Sequence, residues 1–159
     1  MWKVSFNQKE KKVERFNNKA TVVTLTARVE IPEEFISYMP QTIYKWLENQ
    51  VNFMIGQSYD NKLLLKANGK VVRDDNDEDN PILAERIAEC KAKMRIYNFM
   101  TKLTGKYCEF YVKLMSGNKN GMVYTREISK GSLHDANIAY CKLWHREKEQ
   151  LQYLYDSIK

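Results

Sequence analysis

The chain of 159 residues predicts an α+β fold: an antiparallel β-sheet made of hairpins, packed against three main helices. Three observations carry that prediction. The first is a two-residue alternation over 20–31, with Val23, Leu25, Ala27, Val29 and Ile31 on one face and Thr24, Thr26, Arg28 and Glu30 on the other. Such a strand has one buried and one wetted face, as antiparallel sheets covered on one side do. The second is the stretch 81–104, which carries two apolar stripes at helical spacing. Leu83, Ile87, Cys90, Met94 and Tyr97 form one; Ala88, Ala92, Ile96, Phe99 and Leu103 form the other. A surface helix has a single apolar stripe, so this helix is expected between two layers. The third is Asn68-Gly69, set between Leu63–Leu65 and Val71-Val72, the sequence of a two-residue type I′ hairpin turn.

The remaining elements follow in order. Trp2, Val4 and Phe6 alternate with polar residues, as in a short half-buried strand. The polar, basic stretch 8–19 reads either as a second hairpin strand ending at Asn17-Asn18 or as a solvated loop. Pro32 ends the 20–31 strand, and a helical turn over 33–39 precedes a helix over 41–55, with Gly56 as its stop. Lys62 to Asp74 is the Asn68-Gly69 hairpin. The acidic run 74–79 leads to Asn80 as N-cap and Pro81 as first residue of the central helix, for which Gly105 is the expected stop. Aromatic and β-branched bulk over 106–115 and 122–128 then predicts two strands. Ser132, with Asp135 as the third residue of a capping box, opens a last helix. Its apolar face is Leu133, Ala136, Tyr140, Trp144, Leu151, Leu154, Tyr155 and Ile158. No internal repeat or linker divides the chain, so residues 1–159 are expected to form a single domain.

Composition bounds the function. The formal net charge is +6, and it is unevenly spread. Residues 1–30 hold 7 basic and 3 acidic groups, 31–61 hold 1 and 4, and 81–131 hold 10 and 4. A basic surface favours a polyanionic partner, chiefly nucleic acid. Lysine outnumbers arginine by 19 to 7, which points to phosphate contact rather than base readout. The three cysteines are widely spaced, as reduced thiols in a cytoplasmic protein would be. No apolar run approaches the ~20 residues of a membrane span, and the N-terminus lacks an apolar signal core, so no membrane association is expected.

The candidate nucleic-acid residues are Lys91, Arg95, Asn98 and Lys102, which share one edge of the central helix, followed by Lys106, Tyr107, Lys113, Lys119, Arg126 and Lys130. Cations there would track phosphates, with tyrosine available for stacking. The alternative for these residues is purely structural: long cationic stems covering the edge of a buried helix. Lys9, Lys11, Lys12, Arg15 and Lys19 form a second basic group. Asp74, Asp75, Asp77, Glu78 and Asp79 are the candidate contact for a protein partner. Neither register of that run satisfies a calcium loop, because the glycine position is filled by Asn80 or Asp79. His134, Cys141 and His145 lack the further ligands of a zinc site and the orienting group of a nucleophile pair. No glycine-rich phosphate loop is present. No catalytic residue, metal ligand or cofactor is therefore assigned. The expectation is a non-enzymatic protein that contacts nucleic acid through a lysine-rich surface. A second expectation is an interaction or inhibitor protein of the kind phages encode, bound to a host protein; an enzyme of unfamiliar type is the third. A homodimer through the last helix is a further expectation.

Overall fold

The computed structural model describes residues 2–37, 39–50, 56–57, 62–117 and 133–158, with 56–57, 62 and 112–117 described by their backbone alone. The fold is α+β, in three layers: a five-stranded antiparallel sheet, a long central helix across one face of it, and a second long helix behind that. The strands are β1 (Lys3–Phe6), β2 (Lys12–Phe16), β3 (Ala20–Glu30), β4 (Gly56–Gln57) and β5 (Lys62–Val72). The helices are α1 (Glu33–Ser37), α2 (Gln41–Glu48), α3 (Pro81–Gly117) and α4 (His134–Asp156).

The sheet is organised on β3. One of its edges pairs first with β2 and then with β1, on either side of a 3₁₀ turn at Gln8–Glu10. Its other edge pairs with β5 over eleven residues, from Ala20↔Val72 to Glu30↔Lys62. That register overturns the hairpin expected at Asn68-Gly69: the two residues lie inside one continuous strand. Period two runs through the whole of β5, with Leu63, Leu65, Ala67 and Gly69 buried and Lys66, Asn68 and Lys70 exposed. An eleven-residue template on β3 offers many more pairings than a short hairpin, and tertiary pairing overrides the local turn signal. The type I′ geometry occurs instead at Asn17 and Asn18, with φ of 54° and 55° and the Lys19 amide donating to the Phe16 carbonyl at 3.0 Å.

The two-sided helix is present as expected, and it is longer. Ala88, Ala92, Ile96, Phe99, Met100 and Leu103 pack on the sheet; Ile87 and Cys90 pack on Leu154 of α4. Asn80 caps it, its side-chain oxygen accepting from the Leu83 amide at 3.1 Å. Gly105 does not stop it, and residues 106–115 are helical rather than extended. A mid-helix glycine costs about 1 kcal/mol. Tyr107 and Tyr111 continue the sheet-side stripe one and two turns beyond Leu103, and both are buried. Burying two aromatic rings outweighs that cost several-fold. Their rings close on Phe35 of α1, which also meets Trp2. The Tyr107 hydroxyl donates to the Phe35 carbonyl at 3.0 Å.

α2 ends at Glu48, with Asn49 at its C-cap, ahead of the expected Gly56; Gly56 itself lies in β4. Trp46 of α2 stacks on Phe99, with ring centroids 5.2 Å apart. α4 spends its apolar face on α3: Leu133, Tyr140 and Leu154 are buried, and Asn137 donates to the Thr101 carbonyl and the Thr104 hydroxyl, each at 2.9 Å. The expected strand at 122–128 and the Ser132 cap lie outside the described residues. Among the described residues, no helix is long and apolar enough to cross a membrane.

Candidate functional site

α3 crosses the sheet close to β5, and the contact is made at glycine. A Cβ on Gly69 would lie 1.8 Å from the Ala88 carbonyl oxygen and 2.7 Å from the Ala92 nitrogen. The small stripe of Ala88 and Ala92 thus meets the only side chain small enough to let helix and strand backbones touch.

That approach sets the position of the cationic edge of α3. The Arg73 amide donates to the Lys19 carbonyl at 2.7 Å, so odd-numbered residues of β5 turn their peptide groups towards β3. Even-numbered residues therefore turn theirs to the opposite edge, where β4 pairs only with Leu63 and Leu64. Lys91 Nζ donates to the Lys70 carbonyl at 2.9 Å and Arg95 Nη1 to the Asn68 carbonyl at 3.1 Å, both on that edge. Two of the candidate phosphate ligands thus cap a strand edge that β4, among the described residues, leaves unpaired, a common protection against unwanted pairing.

These residues also line a groove of about 440 Å³. Lys70, Lys91, Arg95 and Asn98 surround it, with Met94, Trp144 and Leu151 as its apolar lining. Lys91, Arg95 and Asn98 share one edge of α3, as their spacing predicts, and Lys70 and Trp144 join them in the groove lining. Only the strand register and the packing of α4 deliver those two. Lys102 is exposed one turn further along α3. Lys106 places its ammonium 5.4 Å from the Trp46 ring centroid. Tyr107 is a core residue and not a stacking platform, because the helix continues and buries it. Burial, with a smaller contribution from neighbouring Tyr111, pushes its hydroxyl well above the ordinary tyrosine range. Lys113 stands on α3, and Lys119, Arg126 and Lys130 lie outside the described residues.

Three residues of the other basic group are ion-paired. Lys11 meets Glu85 at 2.7 Å and Glu89 at 3.1 Å on α3. The acidic run folds over the end of the sheet, where Asp79 pairs with Arg15 and Asp75 with Lys19, both at 2.6 Å. Arg73 donates to the Asp77 carbonyl at 2.8 Å. The run borders a second hollow of about 820 Å³ whose floor includes Leu83, Ile87 and Tyr155.

A different set of cations is outward. All four helices lie on the α3 side of the sheet, and no described helix packs on the opposite face, although neighbouring residues bury Thr26 there, a position that the β3 alternation predicts to be wetted. Even-numbered positions of β3 and β5 point there, as do Lys3 and Lys12 through their register opposite Glu30 and Thr24. Lys3, Lys12, Arg28, Lys66 and Lys70 are all exposed on that face, where the acidic side chains are Glu14 and Glu30. Period two in β5 is the signal that could have found Lys66 and Lys70.

The three cysteines are free thiols. Cys90 donates to the Glu147 carbonyl at 3.0 Å and to its carboxylate at 3.2 Å. His145 stands edge-on to Trp144, with centroids 5.0 Å apart. Among the described residues, no group of three His, Cys, Asp or Glu side chains is placed to hold a metal ion. The chain matches no model of a known protein family, no curated protein and no solved structure.

Proposed function

We propose that this protein binds nucleic acid without catalysis, by contacts between lysine side chains and the phosphate backbone. The supporting observation is the segregation of its cations. Lys11, Arg15 and Lys19 have acidic partners, and Lys91 and Arg95 each give one donor to a strand carbonyl beside the groove. Lys3, Lys12, Arg28, Lys66 and Lys70 are all exposed and gathered on one sheet face. Adjacent strands lie about 4.8 Å apart and alternate residues about 7 Å along a strand, a spacing that lets neighbouring cations meet neighbouring phosphates. Lysine, a compact point charge, suits such contact without base readout.

The test is fluorescence anisotropy with single- and double-stranded oligonucleotides at about 0.05 M and about 0.2 M salt. If about three phosphates are engaged, affinity falls roughly 30-fold between these conditions. Replacing Lys3, Lys66 and Lys70 together by glutamate removes most of the binding at low salt. These side chains are exposed, so circular dichroism is expected to be unchanged. Absence of binding at low salt, or unchanged binding by the triple variant, rejects the proposal.

A protein partner is the second reading, favoured by apolar exposure at one end of the same face. Phe16 and Val72 flank Ala20 in adjacent strands and are 50% and 61% exposed. Under this reading a Phe16→Ser, Val72→Ser double variant loses its partner while the lysine variant keeps it.

A further inference from the structure

We infer that the groove at the edge of β5 is a single-strand subsite, in which one unstacked base lies against Trp144 while the flanking phosphates are met by Lys70, Lys91 and Arg95. The inference rests on the nucleic-acid reading above and adds the form of nucleic acid to it. The groove opens beside Lys70, which belongs to both the groove and the open face, so a strand lying on the cations of the face passes its mouth. Its volume of about 440 Å³ matches the scale of a single nucleotide. Bases in a duplex are stacked inward, and only an unpaired strand can turn one into such a recess.

The lining has the two components that this kind of binding requires, an aromatic plane and positive charge. Trp144 is half-buried and lines the groove; it makes a T-shaped contact with His145, and the Lys148 ammonium lies over its ring, 5.3 Å from the centroid. Met94 and Leu151 extend the apolar wall. Lys91 gives one donor to the Lys70 carbonyl, and its ammonium has three. Asn98, exposed at the rim, offers an amide that can both donate and accept at a base edge.

The experiment compares a single-stranded oligothymidine with a duplex of equal length, using the full chain and its Trp144→Leu and Asn98→Asp variants. The expected result is tighter binding of the single strand, weakened about 10-fold by Trp144→Leu with duplex affinity and salt dependence unchanged. Tryptophan fluorescence should be quenched by the oligonucleotide in the parent and not in Trp144→Leu, because Trp2 is buried and Trp46 is stacked on Phe99. Asn98→Asp alters only an exposed side chain and places a negative charge at the rim; several-fold weaker single-strand binding is expected even if Trp144→Leu does not fold. Equal binding of both forms, insensitive to both variants but lost when Lys3, Lys66 and Lys70 become glutamate, overturns the subsite and leaves the broader proposal standing. No binding of either form overturns both.

Discussion

Gly69 and Ala88 are in backbone contact: a methyl group on Gly69 would stand 1.8 Å from the Ala88 carbonyl oxygen. No rotamer relieves that clash, because both partners are main chain. Gly69→Ala is therefore expected to push α3 off β5 and destabilise the fold by about 3 kcal/mol or more. Urea denaturation of the variant measures this directly. A loss below about 1 kcal/mol would show that the helix does not cross the strand there.

Gly105 makes the opposite prediction. It lies inside α3, and a Cβ there meets the Asn137 side-chain nitrogen at 3.6 Å, an ordinary contact. Gly105→Ala should leave the fold intact and stabilise it by about 0.5–1 kcal/mol, since alanine is the better helix former. Destabilisation instead would mean that the helix ends near Gly105.

Tyr107 tests the reassignment of a candidate binding residue to the core. Tyr107→Phe keeps the ring but leaves the buried Phe35 carbonyl without the hydroxyl donor that it has at 3.0 Å. The expected cost is about 1–2 kcal/mol in denaturant stability. Oligonucleotide affinity, measured below the unfolding range, should be unchanged.

Alkaline pH should weaken the fold in a defined window. Burial, and then the hydrogen bond to Glu147, push the Cys90 thiol up from 9.0 to about 12. Burial, with a smaller contribution from Tyr97, pushes the Tyr140 hydroxyl up to about 12. Lys11 is raised above 10.5, chiefly by its hydrogen bond with Glu85. In each case the folded chain holds a proton that the unfolded chain releases. The associated stability is complete below each ordinary value and is lost as pH rises through the folded one. The urea midpoint should thus hold level to about pH 8.5 and fall progressively above about pH 9. Cys90→Ala should delay the onset of that fall. In native alkylation at mildly alkaline pH, Cys90 should react last of the three thiols, since it is both buried and protonated.

Lys11 also gives a prediction at neutral pH. Its ammonium bridges Glu85 and Glu89 with the side chain 17% exposed, tying the turn between β1 and β2 to α3. Lys11→Met should cost about 1 kcal/mol at neutral pH and low salt. The difference from the parent should shrink as pH rises beyond about 10.5, because the unfolded lysine releases its proton there and the folded one at higher pH.

The sequence by itself determined those features whose signal is repeated along the chain. Two apolar stripes identified α3 as a helix buried on two faces, because its packing residues recur every third or fourth position. The alternation in β3 identified a one-sided antiparallel strand, and Asn80-Pro81 marked the start of α3. Tertiary structure alone decided matters that hinge on one residue with two local meanings. Asn68-Gly69 is a turn signal in isolation; beside the eleven-residue edge of β3 and under Ala88 and Ala92, the same glycine is a contact point. Gly105 and the aromatic run after it carry the local signals of a helix stop and a strand. Burial of Tyr107 and Tyr111 against Phe35 made them a continuation of the helix. The fate of the cations was decided in the same way. Formal charge is legible in a sequence, but whether a lysine faces solvent, a carboxylate or a strand carbonyl depends on which backbone lies within about 3 Å of it. Lys91 and Lys70 share their charge and lie 21 residues apart. One holds the backbone of the other, and only the fold shows which of the two ammonium groups is on the open face.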